Sequence, residues 1–150
     1  MSALTSAYKA VRSIINDAED RIAPLMPGIK LRIYRTSDAD SDAVALAERA
    51  LPVIAEALDC TMPDIVGPGR LREHVERRCV ATVIFYEPPF LLSFPRIGDL
   101  LGGRGGSTAN NLYDRGSGYL DIKDEHFLDL FNAASAAVNQ WLSNQQPASS

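Results

Sequence analysis

Sixteen residues in the middle of the chain, Cys79 to Phe94 (CVATVIFYEPPFLLSF), constrain the fold more than any others. They are the densest apolar stretch, yet too short for the ~20 residues of a membrane span. On a strand, Cys79, Ala81, Val83 and Phe85 point one way, and Val80, Thr82, Ile84 and Tyr86 the other. Both faces are mostly apolar, as in a strand covered on two sides. Pro88-Pro89 ends the run, because proline cannot donate to a sheet ladder. A second run follows, with Phe90, Leu92 and Phe94 on one face. The stretch is expected at the centre of a sheet.

The rest of the chain is ordered around it. Leu4, Tyr8, Val11, Ile15, Ala18, Ile22 and Leu25 alternate four and three apart, a helix stripe stopped by Pro24 and Pro27-Gly28. Ile29 to Arg35 alternates apolar and polar, which predicts a strand with one solvated face. A second helix is expected over roughly 41–58, with Leu46, Ala50, Ile54 and Leu58 buried and a kink or break at Pro52. The segment 62–70 reads as a turn. Residues 70–78 (RLREHVERR) have a helical composition, but no glycine or proline separates them from Cys79. They are expected to extend the central strand, charged and projecting beyond the core.

After Phe94 the texture changes. Seven of the ten glycines lie between Gly98 and Gly118, which predicts a long flexible loop at about 98–118. A short strand at 119–122 and a final helix carrying Phe127, Phe131, Ala134, Val138, Trp141 and Leu142 complete the order. The expected fold class is α+β: a mainly antiparallel sheet packed by two or three helices, with a long Gly-rich loop. One domain is expected over 1–142, and a frayed polar tail over 143–150.

Charge bears on partners. The net charge of -4 argues against non-specific nucleic-acid binding. Twelve of the fifteen basic residues are arginine, the cation enriched in protein interfaces. Cys60 and Cys79 make no disulfide framework and read as buried small hydrophobes. Lys9, Arg12 and Asp17 interrupt any signal-peptide core, so a cytoplasmic setting, or a virion, is expected, with no membrane partner.

Four constellations invite a chemical reading. Asp38, Asp40 and Asp42 open like a calcium loop, but Ala43 stands where the sharp turn needs glycine and Arg49 where the bidentate glutamate belongs. GGRGGST at 102–108 could form an anion nest, but it lacks the Gly-Lys-Ser/Thr ending of a nucleotide phosphate loop. Cys60, His74, Cys79 and His126 lack the close pairs that pre-form a zinc site. Asp64, Glu87, Asp121 and Lys123 could serve a Mg²⁺-dependent nuclease or phosphoryl-transfer enzyme. Helix capping, a flexible loop tip and solvated charge account for most of these features. No metal and no cofactor is expected.

The sharpest basic cluster is Arg70, Arg72, His74, Arg77 and Arg78. Interleaved Glu73 and Glu76 would repel phosphate, so a protein interface is preferred and nucleic acid set aside. Lys30, Arg32 and Tyr34 on a strand face, Arg104 in the glycine-rich loop, and the acidic Asp38, Asp40 and Asp42 complete the expected interface. Segregated opposite charges suit head-to-tail rings. The leading expectation is a non-catalytic assembly subunit in a homo-oligomer, with other protein subunits as partners. Such a subunit, with a projecting strand and a loop ordered in a ring, resembles phage tail-terminator or neck proteins in architecture. The alternatives are the Mg²⁺-dependent enzyme above and a small acidic chaperone or inhibitor.

Overall fold

The computed structural model describes residues 3–31, 41–87 and 90–145, with the side chains of 3–9, 41 and 42 left undescribed. Among these residues there are seven helices and no strand: α1 (Ala3–Ile22), α2 (Ser41–Ala57), α3 (Met62–Val66), α4 (Arg72–Tyr86), α5 (Phe94–Leu100), α6 (Gly106–Asp121) and α7 (Glu125–Asn144). The expected α+β sheet is therefore replaced by a helical assembly. No helix of the described residues is long and apolar enough to cross a membrane.

The central element is α4, and it explains why the strand reading failed. Cys79 through Phe85 are consecutively buried. A helix enclosed by neighbours on every side shows no polar stripe, so its sequence loses the 3.6-residue signal and looks like a doubly covered strand. Here α4 touches α2, α3, α5, α6 and α7. The charged segment 70–78 does not project as a strand; Arg72 onward is the first half of the same helix. Thr82 is fully buried, and its hydroxyl donates back to the Arg78 carbonyl at 2.7 Å, which satisfies the group inside the core.

Around α4 the other helices obey amphipathic spacing. The expected stripe of α2 (Leu46, Ala50, Ile54 and Leu58) is buried. Pro52 does not split α2. It lies on the exposed face, as does Glu48, so the carbonyl freed four residues earlier can meet water. The helix ends with Asp59 at φ +56° and the Cys60 N–H donating to the Ala55 carbonyl at 3.0 Å. In α7, Asp124 caps the first turn by accepting from the Phe127 N–H at 2.9 Å, while Phe127, Ala134, Val138 and Leu142 enter the core. The helix α1 packs on α7 and buries Ile15, yet leaves Ile14 exposed. The expected strand after it is not found: residues 29–31 are irregular, and 32–35 lie outside the described residues.

The two thiols differ. Cys79 is fully buried, and burial pushes it up to about 11 from an ordinary 9.0. Cys60 is half-buried and raised for the same reason. In the folded chain Cys79 keeps a proton that the unfolded chain sheds near pH 9. Its contribution to stability is thus present below that pH and is lost as pH rises toward 11, by about 3 kcal/mol in all. Denaturant melts between pH 8 and 11 should show this loss in the wild type, and a flatter profile in Cys79→Ala. At pH 8 an aromatic disulfide should titrate one thiol in the folded chain and both after unfolding.

Candidate functional site

The segment expected to be a flexible loop is mostly helix, with close backbone packing. Residues 98–118 comprise the end of α5, a five-residue turn at 101–105 and most of α6. Proline in the first turn of α5 suits a helix start. Gly98, inside α5, lies so close to the turn that an added Cβ would stand 2.0 Å from the Arg104 carbonyl oxygen. The Arg104 N–H donates to the Gly98 carbonyl at 2.8 Å. Gly102 takes φ +92°, a left-handed conformation open to glycine, and a Cβ there would meet the Val66 carbonyl oxygen at 2.1 Å. The glycines that looked like punctuation permit close backbone approach.

Two arginines converge on the end of α3, and one of them, Arg104, ties the turn to it. The Arg78 guanidinium, 3% exposed, donates to the carbonyls of Ile65 at 2.6 Å and Gly67 at 2.9 Å, and more weakly to Asp64 at 3.5 Å. Arg104 donates to the same Gly67 carbonyl at 2.6 Å, to Val66 at 3.5 Å and to Leu101. Together they cap the C-terminal end of α3, where carbonyls lack helical partners. Burial and the neighbouring Arg104 charge both push the Arg78 guanidinium below its ordinary value. At the other end of α3 the Thr61 N–H donates to the Asp64 carboxylate at 2.9 Å, which holds that carboxyl below its ordinary value.

The helix α6 is held on α4 and α5 by one face. Ala109, Leu112, Tyr113 and Gly116 are buried. A Cβ on Gly116 would lie 2.8 Å from Val83 and 3.2 Å from the Cys79 carbonyl oxygen. The Tyr113 hydroxyl donates to Glu87 at 2.9 Å, and its ring joins Tyr86 and Phe94, which stack at 4.4 Å. The opposite face is exposed and polar: Ser107, Thr108, Asn110, Asn111, Asp114 and Arg115. At the amino end Gly105 and Gly106 bring no side chain at all. The unit is thus a short helix, a five-residue glycine-bearing turn and a second helix with an open polar face.

The residues expected at an interface are scattered. Arg70 is exposed just before α4. Arg72 is exposed and pairs with Glu76 at 3.0 Å; His126 reaches the other oxygen of Glu76, also at 3.0 Å. His74 is half-buried and faces Asp64 at 3.6 Å. Arg77 is half-buried in α4, and Lys30 is exposed. Arg78 and Arg104 are brought together, on backbone carbonyls. Arg32, Tyr34, Asp38 and Asp40 lie outside the described residues, and the side chain of Asp42 is among those left undescribed. Asp64 caps α3, Glu87 ends α4, Asp121 ends α6, and Lys123 follows at φ +56°. Among the described residues no three His, Cys, Asp or Glu side chains are grouped to hold a metal ion.

Sequence reasoning missed the polar face of α6. A signal was present: Ala109, Leu112, Tyr113, Gly116, Tyr119 and Leu120 recur at helical spacing. The glycines, which cost about 1 kcal/mol each in a helix, outweighed it. No family model, no curated protein and no solved structure matches the chain.

Proposed function

We propose that this chain is a double-stranded DNA-binding domain in which α6 enters the major groove and reads base edges. The observation that carries the reading is the α5–turn–α6 unit, locked by Gly98, Gly102 and Arg104, with the polar face of α6 left open. In helix-turn-helix proteins the second helix lies in the major groove with its amino-terminal residues on the bases. At 1.5 Å per residue α6 is about 24 Å long, ample for a groove about 12 Å wide. Its exposed residues are of the types that discriminate bases. Asparagine pairs with adenine N6 and N7, arginine with guanine, serine and threonine with either, and an aspartate accepts from cytosine N4.

Electrostatics support a selective binder over an indiscriminate one. Residues 70–121 carry seven basic and six acidic side chains, and the remainder eight and thirteen. Affinity would rest on fit more than on bulk charge, giving a shallow dependence on salt. Glu76, which counted against nucleic acid in the sequence, is 7% exposed and shared between Arg72 and His126.

Selection from a random duplex library tests the reading. A consensus half-site should emerge, and Asn110→Ala or Asn111→Ala should relax one or two of its positions, each at about 1–3 kcal/mol, with the helical fold retained. A library that stays random over successive rounds overturns it.

A second reading, an assembly subunit acting through protein contacts, has its own support. Ile14, Leu25 and Met26 are 68%, 82% and 57% exposed in and just after α1, large apolar side chains that a partner could cover. The likeness to tail-terminator and neck proteins rested on a projecting strand, and that segment is helix. Light scattering tests the second reading: a concentration-dependent oligomer lost in Ile14→Ser together with Leu25→Ser supports assembly. The two readings combine if the oligomer is a dimer spanning paired half-sites.

A further inference from the structure

On the side of α4 next to α1 and α7 there is a cavity of about 270 Å³. Its walls are Val83 and Ile84 of α4, Phe90 after it, Leu120 of α6, and Phe131, Val138 and Leu142 of α7. Four polar residues interrupt the apolar lining: Arg12 of α1, Glu87, Ser135 and Asn139. The lining is graded. Val83, Ile84, Phe90, Val138 and Leu142 are buried, whereas Arg12 and Ser135 are half-buried and Asn139 is exposed. The polar residues therefore mark the open side.

The two charged residues are not equivalent. Glu87 already accepts a hydrogen bond from Tyr113 through one carboxylate oxygen. No described residue gives Arg12 an ion pair or a hydrogen bond. A guanidinium without a carboxylate partner among the described residues, next to an apolar hollow, is an arrangement that recognises an anionic head on an apolar body. An apolar cavity of about 150 Å³ holds a benzene-sized guest, so this one accommodates on the order of ten non-hydrogen atoms.

We infer that the cavity binds a small apolar monocarboxylate, with its carboxylate on Arg12 and its hydrocarbon or ring between Phe90, Val138 and Leu142. Ser135 and Asn139 supply further hydrogen bonds at the open side. The inference stands on the cavity alone and does not require that α6 read DNA.

The test uses the full chain with methyl-labelled valine, isoleucine and leucine. Octanoate and 3-phenylpropionate should give saturable shifts of the Val83, Ile84 and Val138 methyl signals. 1-Octanol should bind at least tenfold more weakly, and octylamine more weakly still. Arg12→Ala should erase the preference for octanoate over octanol while leaving the octanol shifts in place. Arg12→Gln serves the same purpose if the alanine variant folds poorly. Equal binding of octanol and octanoate to the wild type overturns the inference, as does stronger binding of octylamine. Unmoved methyl signals at the highest soluble octanoate concentration also overturn it, including where other residues of the chain itself fill the cavity.

Discussion

Gly98→Ala is expected to destabilise the protein by about 3 kcal/mol, although alanine is the better helix former by about 1 kcal/mol. Gly98 sits inside α5, so propensity alone predicts a gain. The added methyl, however, would stand 2.0 Å from the Arg104 carbonyl oxygen and 2.9 Å from that of Gly105. Both obstacles are backbone, in a turn already fixed by the Arg104 N–H on the Gly98 carbonyl and by the Arg104 side chain on α3. Relief requires α5 and the turn to separate, which breaks those bonds. Gly118→Ala is the internal control. Gly118 is an exposed helical position with nothing within 4 Å of an added Cβ, so there propensity should win, with a gain of up to about 1 kcal/mol. Opposite signs for two glycine-to-alanine changes in one motif, measured by urea denaturation, are the expected result. Two changes of the same sign would contradict the close approach of turn and helix.

Arg78→Met is expected to cost about 3–5 kcal/mol, the largest loss from any single side chain outside the apolar core. Methionine replaces the aliphatic stem but leaves the Ile65, Gly67 and Asp64 carbonyls without their donor. Arg104 compensates only at Gly67, the carbonyl the two guanidiniums share. Arg78→Lys should fall between, because an ammonium keeps the charge but cannot span the same carbonyls with a planar fork. Arg104→Ala should cost less, since that side chain is half-buried. Because the two arginines share an acceptor, a double-mutant cycle should show them coupled. A loss below 1 kcal/mol for Arg78→Met would mean that α3 is held by something other than this clamp.

These residues show what the sequence could and could not convey. The stripes of α2 and α7 were legible, because each of those helices buries one side and leaves the other wet, whereas of the stripe expected in α1 only Ile15 is buried among the described side chains and Leu25 is exposed. The stripe of α4 was not legible, because five neighbouring helices cover it and leave no polar side to set the period. Ambiguity there propagates: a strand at 79–86 implies a strand at 70–78, and both imply a sheet. In α6 the obstacle was reversed. Its amphipathic spacing was present, but Gly106, Gly116 and Gly118 signal loop unless the neighbour that needs the missing side chain is known. For Gly116 that neighbour is the Cys79–Val83 stretch of α4, more than thirty residues earlier in the sequence. Arg78 and Arg104 were expected at an interface, but Arg78 is buried and both guanidiniums bind within the chain. Their acceptors are backbone carbonyls, which carry no mark in a sequence.

The attachment of α1 through α7 has a consequence for how the molecule opens. A helix that contributes little to the common core can detach in a local event while α4, α5 and α6 stay paired. Amide hydrogens of α1 would then exchange with solvent well before those of α4, and by a separate opening. Since Arg12 rides on α1, the same excursion uncovers the hollow behind α4. A guest could enter and leave on the timescale of that fraying, with the free energy of global unfolding untouched.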